Sequence, residues 1–329
     1  MEVYEREYYV SKIKAGYTKI GDIKVYPPTP DVEYNANEAS MRVILSDNNL
    51  LDEAEAREYL ISIGRWSQKE ESEIPIAEKH TDYWREQIYI SYITFQSKTR
   101  EKNRLHLRAA EKHLFSLLNK KAELESYTKV GIATYAKNLY IFSNSCYYLD
   151  GTPVDWSNHD ITNEMSKFYQ SIIGAEEIRE IARTSPWNSI WGIYKKGGNK
   201  LFLNDVLSME QQNIIQWSSL YDNVYESTEC PSEEVINDND ALDGWLITQR
   251  KNREKDRNTS AVEKAAGNKG DAYIFAQTKE DAAKVQSLNS PVAMATMKSR
   301  LSQVEKHGIL KEGDLADVRQ RLMMEANRR

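Results

Sequence analysis

The sequence predicts a mainly α protein: an antiparallel helical bundle with a small β-containing N-terminal segment and a helical C-terminal appendage. Three observations carry the prediction. Apolar residues recur at helical spacing, in Trp84, Ile88, Tyr92 and Phe95, and again from Leu107 through Ala110, Leu114 and Leu117 to Leu124. No Gly or Pro interrupts the chain between Asp82 and Val130. Helix-opening pairs recur, notably Ser208 with Gln211, a capping box in which each residue satisfies an amide the helix leaves open. The length of 329 residues suits about two domains.

Residues 1–66 form the first segment. Tyr17, Ile20, Ile23 and Val25 flank Gly21-Asp22, a β pattern that must stop at Pro27-Pro28-Thr29-Pro30 because proline pins φ and lacks a donor. Two short helices follow. The first starts near Asn35 and carries Ala36, Ala39, Met41 and Val43, with a turn at Asp47-Asn48-Asn49. The second is capped by Asp52 and ends with Gly64 in the C′ position.

Residues 67–256 read as the bundle. One uninterrupted helix of forty residues would reach about 60 Å, so a break is expected near 98–103. Further helices fit 129–147, 161–173, 176–183, 186–194 with Pro186 in the first turn, and 209–225 after Ser208. Residues 257–270 are small and polar without apolar period, a linker by composition. Beyond it, 271–329 hold one short strand at Tyr273-Ile274-Phe275-Ala276 and helical segments. These carry too few large apolar side chains for a core of their own. On the last helix Leu315, Val318, Leu322 and Met323 make one apolar stripe suited to docking on the bundle or in a partner's groove.

The net charge of −6 leaves no overall basic footprint for nucleic acid. Two cysteines, Cys146 and Cys230, cannot supply a disulfide framework, and no run approaches the roughly 20 apolar residues a membrane span needs. The first seven residues lack the basic-then-apolar order of a signal peptide, which points to a reducing cytoplasm away from membranes. Of 33 aromatic residues 20 are Tyr and 7 are Trp, types that suit half-buried contact surfaces.

Two stretches carry chemistry. Asp238, Asp240, Asp243 and Gly244 superficially resemble a calcium loop, but Ala241 and Leu242 break the ligand spacing and Gln249 stands where a bidentate Glu is required. The simpler expectation is that Asp240 caps a helix with Asp243 in its first turn, and that Leu242, Trp245 and Leu246 form its buried stripe. The second stretch is basic: Lys98, Arg100, Lys102, Arg104, Arg108, Lys112, Lys120 and Lys121 face only Glu101 and Glu111 between residues 96 and 121. It could meet phosphates, with Arg250 to Arg257 as a second patch. A charge run on a helix more often pairs with acids, here Glu70, Glu71, Glu73 or the Asp cluster, or with a partner protein. Gly197 after Lys195-Lys196 reads as a helix end, not a phosphate loop, and Cys146 as a small buried hydrophobe. No motif meets the minimum for a catalytic, metal or cofactor site.

The segments Val25-Tyr26-Pro27-Pro28-Thr29-Pro30, Gly64-Arg65-Trp66-Ser67, Ser185-Pro186-Trp187-Asn188-Ser189-Ile190-Trp191, and Cys230-Pro231 through Asp243-Gly244-Trp245-Leu246-Ile247 resemble a family without assigned activity in the structural gene clusters of tailed bacteriophages. The likeness covers most of the chain and brings no functional residues with it. It implies a non-enzymatic role in virion assembly or as a minor structural protein, such as a tail assembly chaperone or connector. The partners would be phage structural proteins or further copies of the chain, in the host cytoplasm during assembly or in the virion. The alternative is a nucleic-acid-associated protein using the basic helix.

Overall fold

The computed structural model describes residues 1–46, 50–126, 128–198 and 200–266. The chain is mainly helical with one small antiparallel sheet, as its apolar periodicity requires. It opens with a helix the β-leaning residues conceal, α1 (Val3–Ala15), where Tyr8, Tyr9 and Val10 favour strands. The capping box of Glu2 and Glu5 starts α1, and Gly16 at φ 70° ends it. Its Val10 and Ile13 are buried, which supplies the packing that propensity does not.

The hairpin comes next, β1 (Thr18–Ile20) and β2 (Ile23–Val25), turning on Gly21 at φ 56°. Helix α2 (Pro30–Ser46) begins five residues before the expected Asn35, since Pro30 occupies a first turn whose amide needs no partner. Asp52 caps α3 (Glu53–Ser62) in a box with Glu55, and Gly64 follows at φ 70°.

The long helical run is two helices, α4 (Gln68–Ile93) and α5 (Ser97–Glu125), packed side by side as a hairpin. The break falls at 94–96, just before the expected region, where Phe95 adopts φ 56° without a glycine. Trp66, Ile74, Ala77 and Leu117 pack beneath this hairpin.

Helix α6 (Lys129–Ser145) packs on α2 and gives way to β3 (Cys146–Tyr148), residues that periodicity assigns to the helix. Strand β3 pairs antiparallel with β2, Val25 opposite Cys146. The N-terminal residues therefore share a core with the bundle: Ile20, Ile23, Val25, Phe142, Cys146, Val154 and Met165.

Helices α7 (Ile161–Ser171), α8 (Ala175–Arg183), α9 (Trp187–Lys195) and α10 (Met209–Tyr225) follow close to their expected places, with Ser208 and Gln211 forming the predicted box, and a short helix outside the expected set, α11 (Glu233–Asn237), comes next. Pro186 sits at the cap of α9 and not inside its first turn. Helix α8 packs on α9 and α10 around Ile178, Ile181, Trp187 and Ile214.

Helix α12 (Asn239–Ala266) runs ten residues into the stretch read as linker, whose Ala, Glu, Lys and Arg are good helix formers. Compactness divides the chain at that helix, into Met1–Trp245 and Leu246–Arg329, and not at residue 66 or 257. No described helix is long and apolar enough to cross a membrane. The turn at 47–49, the strand at 273–276 and the helix bearing Leu315, Val318, Leu322 and Met323 lie outside the described residues.

Candidate functional site

The two charged stretches meet. Arg100, Arg104 and Arg108 recur every four residues on α5 and so share one face. That face lines an open cleft of about 880 Å3 whose opposite wall is Asp238, Asn239 and Asp240 at the start of α12. Asp238, not Asp240, is the cap. Its Oδ1 accepts the amides of Asp240 at 3.1 Å and Ala241 at 3.3 Å, and its own amide donates to the Val235 carbonyl at the end of α11. One carboxylate thus ends one helix and begins the next. Its other oxygen accepts the Tyr92 hydroxyl at 2.7 Å and the Arg104 guanidinium.

Arg108 bridges Asp240 at 2.9 Å and Glu111 at 2.7 Å, and the second Glu111 oxygen accepts Arg85 of α4 at 3.0 Å. Arg100 lies over the Tyr92 ring at 4.0 Å. Behind the cleft, buried Arg179 donates to both Asp243 oxygens at 2.8 and 3.0 Å and stacks over Trp217 at 4.3 Å. Arg183 donates to Asn239 Oδ1 at 2.7 Å and to the Tyr221 hydroxyl at 3.1 Å. Each aspartate of the cluster has its own arginine.

The neighbouring carboxylates titrate in opposite senses. Burial pushes Asp238 up, but the Tyr92 hydroxyl, Arg104 and the Ala241 amide outweigh it and hold the carboxyl below the ordinary range. Burial raises Asp240, and Asp238 and Glu111 add to the rise against the opposing pull of Arg108 and Arg104.

The far end of α5 repeats the pattern at the surface. Lys120 meets Glu70, Lys121 meets Glu71 at 3.0 Å, and His113 lies 3.1 Å from Glu73. The Lys121 hydrogen bond, helped by the Trp66 indole, lowers Glu71 against its burial.

Of the basic residues singled out in the sequence, Arg104 and Arg108 are in ion pairs and Arg100 is stacked. Lys98, Lys102 and Lys112 are exposed and have no ion pair among the described residues. Arg179 and Arg183 escape sequence reasoning. Their one signal is a pair of arginines four apart on a helix whose neighbours Ile178, Ile181 and Ala182 are apolar.

Chemically the cleft is an ionic lattice. Among the described residues its lining includes no Ser, Thr, Cys or His to serve as nucleophile or imidazole base. Among the described residues no group of three or more His, Cys, Asp or Glu is placed to hold a metal ion. Cys146 is buried in strand β3 of the sheet, and burial pushes its thiol up to about 12, far from a reactive thiolate at neutral pH. No protein-family model matches the chain, and no curated protein or solved structure matches it either.

Proposed function

We propose that this chain works without catalysis, as a helical protein that holds other proteins during virion assembly or as a minor virion component, in the manner of a tail assembly chaperone or connector. One observation carries the proposal. Asp238 and Asp240 of the main cleft are met by Arg104 and Arg108, whereas large apolar side chains of the α4/α5 hairpin face outward: Phe95 is 93% exposed, Leu105 74% and Phe115 65%. Phe is among the side chains enriched where proteins meet. The assembly setting is supported by the sequence resemblance to phage structural-cluster proteins.

Affinity capture of the tagged chain from infected cells, read by mass spectrometry alongside purified virions, tests it. Phage structural proteins in the eluate are the expected result; their absence there, together with absence of the chain from virions, overturns the proposal.

A nucleic-acid role is the second reading, favoured by exposed Lys98, Lys102 and Lys112 on α5. It requires DNA or RNA binding that falls steeply with salt. An anisotropy titration showing no binding at low salt removes it.

A further inference from the structure

A second depression, of about 460 Å3, opens where the end of α1, helix α9 and residues 200–203 converge. Its floor is built. Leu201 and Phe202 are buried, and Phe202 stacks on Trp187 with ring centroids 6.0 Å apart. Its rim is apolar and open to water: Leu203, the next residue, is 93% exposed, and Ile193 on α9 is 65% exposed. The charged residues lining it are Lys14 and Lys200, both exposed, and among the described residues no carboxylate lines it. Neither lysine has an ion pair among the described residues. In a chain of net charge −6, two unopposed cations beside an apolar hollow are a local exception.

We propose that this hollow docks an acidic, apolar segment of a partner protein, one that inserts aliphatic or aromatic side chains over Phe202 and sets carboxylates against Lys14 and Lys200. The proposal names the partner chemistry for the protein-binding role above and rests on that reading. A neutral segment would gain nothing from the two ammonium groups, and a basic one would be repelled. The occupant must also be broad. Leu203 and Ile193 stand out from the hollow, so a small ligand inside it would leave them in water, whereas a peptide laid across the rim covers them.

The test uses the full chain and two labelled amphipathic peptides with leucines at identical helical positions, one carrying Glu and the other Lys everywhere else, followed by fluorescence anisotropy. The glutamate peptide is expected to bind about tenfold or more tightly than the lysine peptide. Leu203→Ser and the pair Lys14→Glu, Lys200→Glu should each weaken it about tenfold, while Tyr34→Ser, an exposed position on α2, leaves it unchanged. The substituted side chains are exposed, so unchanged circular dichroism is expected in every variant.

Equal binding of the two peptides, or binding indifferent to Leu203 and the lysines, overturns the proposal. So does saturable binding of dodecanoate at the same residues with neither peptide bound, which would make the hollow an alkyl-carboxylate site. The two readings fail separately: a productive capture with inert peptides sinks this inference alone, and variant-sensitive peptide binding with an empty capture sinks only the assembly role.

Discussion

Helix α5 carries the same kind of charge at both ends and uses it differently. Near its start Arg104 and Arg108 meet Asp238 and Asp240, whose side chains keep 12% and 13% of their exposure. Near its end Lys120 and Lys121 meet Glu70 and Glu71 across a surface groove, with 24% and 31% exposure on the acids. A run of like charges is therefore two devices. The arginines, themselves half-exposed, receive at the start of another helix two carboxylates that are largely buried, and the planar guanidinium of Arg108 serves two acceptors at once. The lysines clip α4 to α5 where water screens the attraction.

The largest expected effect comes from prising the arginine end apart without touching a charge. A Cβ added at Gly244 would lie 2.1 Å from the Arg85 carbonyl oxygen, so Gly244→Ala must separate α12 from α4. A loss of roughly 3 kcal/mol in urea unfolding is expected, because backbone overlap in a packed core cannot relax by a rotamer change. A variant as stable as the parent would show that the two helices do not approach so closely.

Arg179→Met should cost nearly as much, about 3 kcal/mol, since it leaves Asp243 without its bidentate partner. Thermal unfolding measures it, and a loss under about 1 kcal/mol would place the pair in the weak, surface-like class.

Asp238→Asn keeps a side-chain oxygen for the helix cap and removes the charged acceptor that Arg104 and the Tyr92 hydroxyl share. A loss of about 2 kcal/mol is expected, against about 0.5 kcal/mol for Lys121→Met at the other end. Raising salt to about 0.5 M should erase the second difference and leave most of the first, because buried pairs are screened less. Equal responses at the two ends would abolish the distinction between them.

The smallest effect is in the acid limb. Asp238 is held below its unfolded value, so its stabilisation is full above about pH 4 and is lost as pH falls through its lowered folded value. Asp240 is raised, so protonating it favours the folded chain as pH falls through its raised folded value. The two act in adjoining pH windows. Asp240→Asn should remove a rise of Tm that the parent shows as pH falls from the raised Asp240 value to about pH 4, and Asp238→Asn should flatten the fall of Tm below about pH 4. Identical limbs for both variants would contradict the opposite titrations.

Local chemistry was legible where one residue decides the outcome. Asp52 as a cap with Gly64 beyond the helix end, Ser208 with Gln211, and Gly21 in its turn all act through the backbone beside them. The mainly helical class followed from apolar spacing in the same way. What escaped depends on distant partners. Helix α1 is rich in Tyr and Val and is held by burial of Val10 and Ile13 and by Gln211, whose amide donates to the Ile13 carbonyl at 2.9 Å. The 94–96 turn has no Gly or Pro to announce it. Asp238 and Asp240 are equally good caps on paper, and the Tyr92 hydroxyl and two arginines from α5 tell them apart. Arg179 looks misplaced among isoleucines until Asp243 is brought beside it.

The pairing of β2 with β3 sets a timetable for synthesis. Val25 leaves the ribosome about 120 residues ahead of Cys146, its partner across the sheet. At about 5–20 residues per second that gap lasts roughly 6–25 s. During it Ile20, Ile23 and Val25 have no third strand and no Phe142 to cover them. The α4/α5 hairpin, whose contacts are local, is complete before β3 emerges and can form first. The nascent chain thus carries a finished helical pair and an open-edged ribbon at once, and the ribbon is the part that a holdase or a premature contact between neighbouring ribosomes would find.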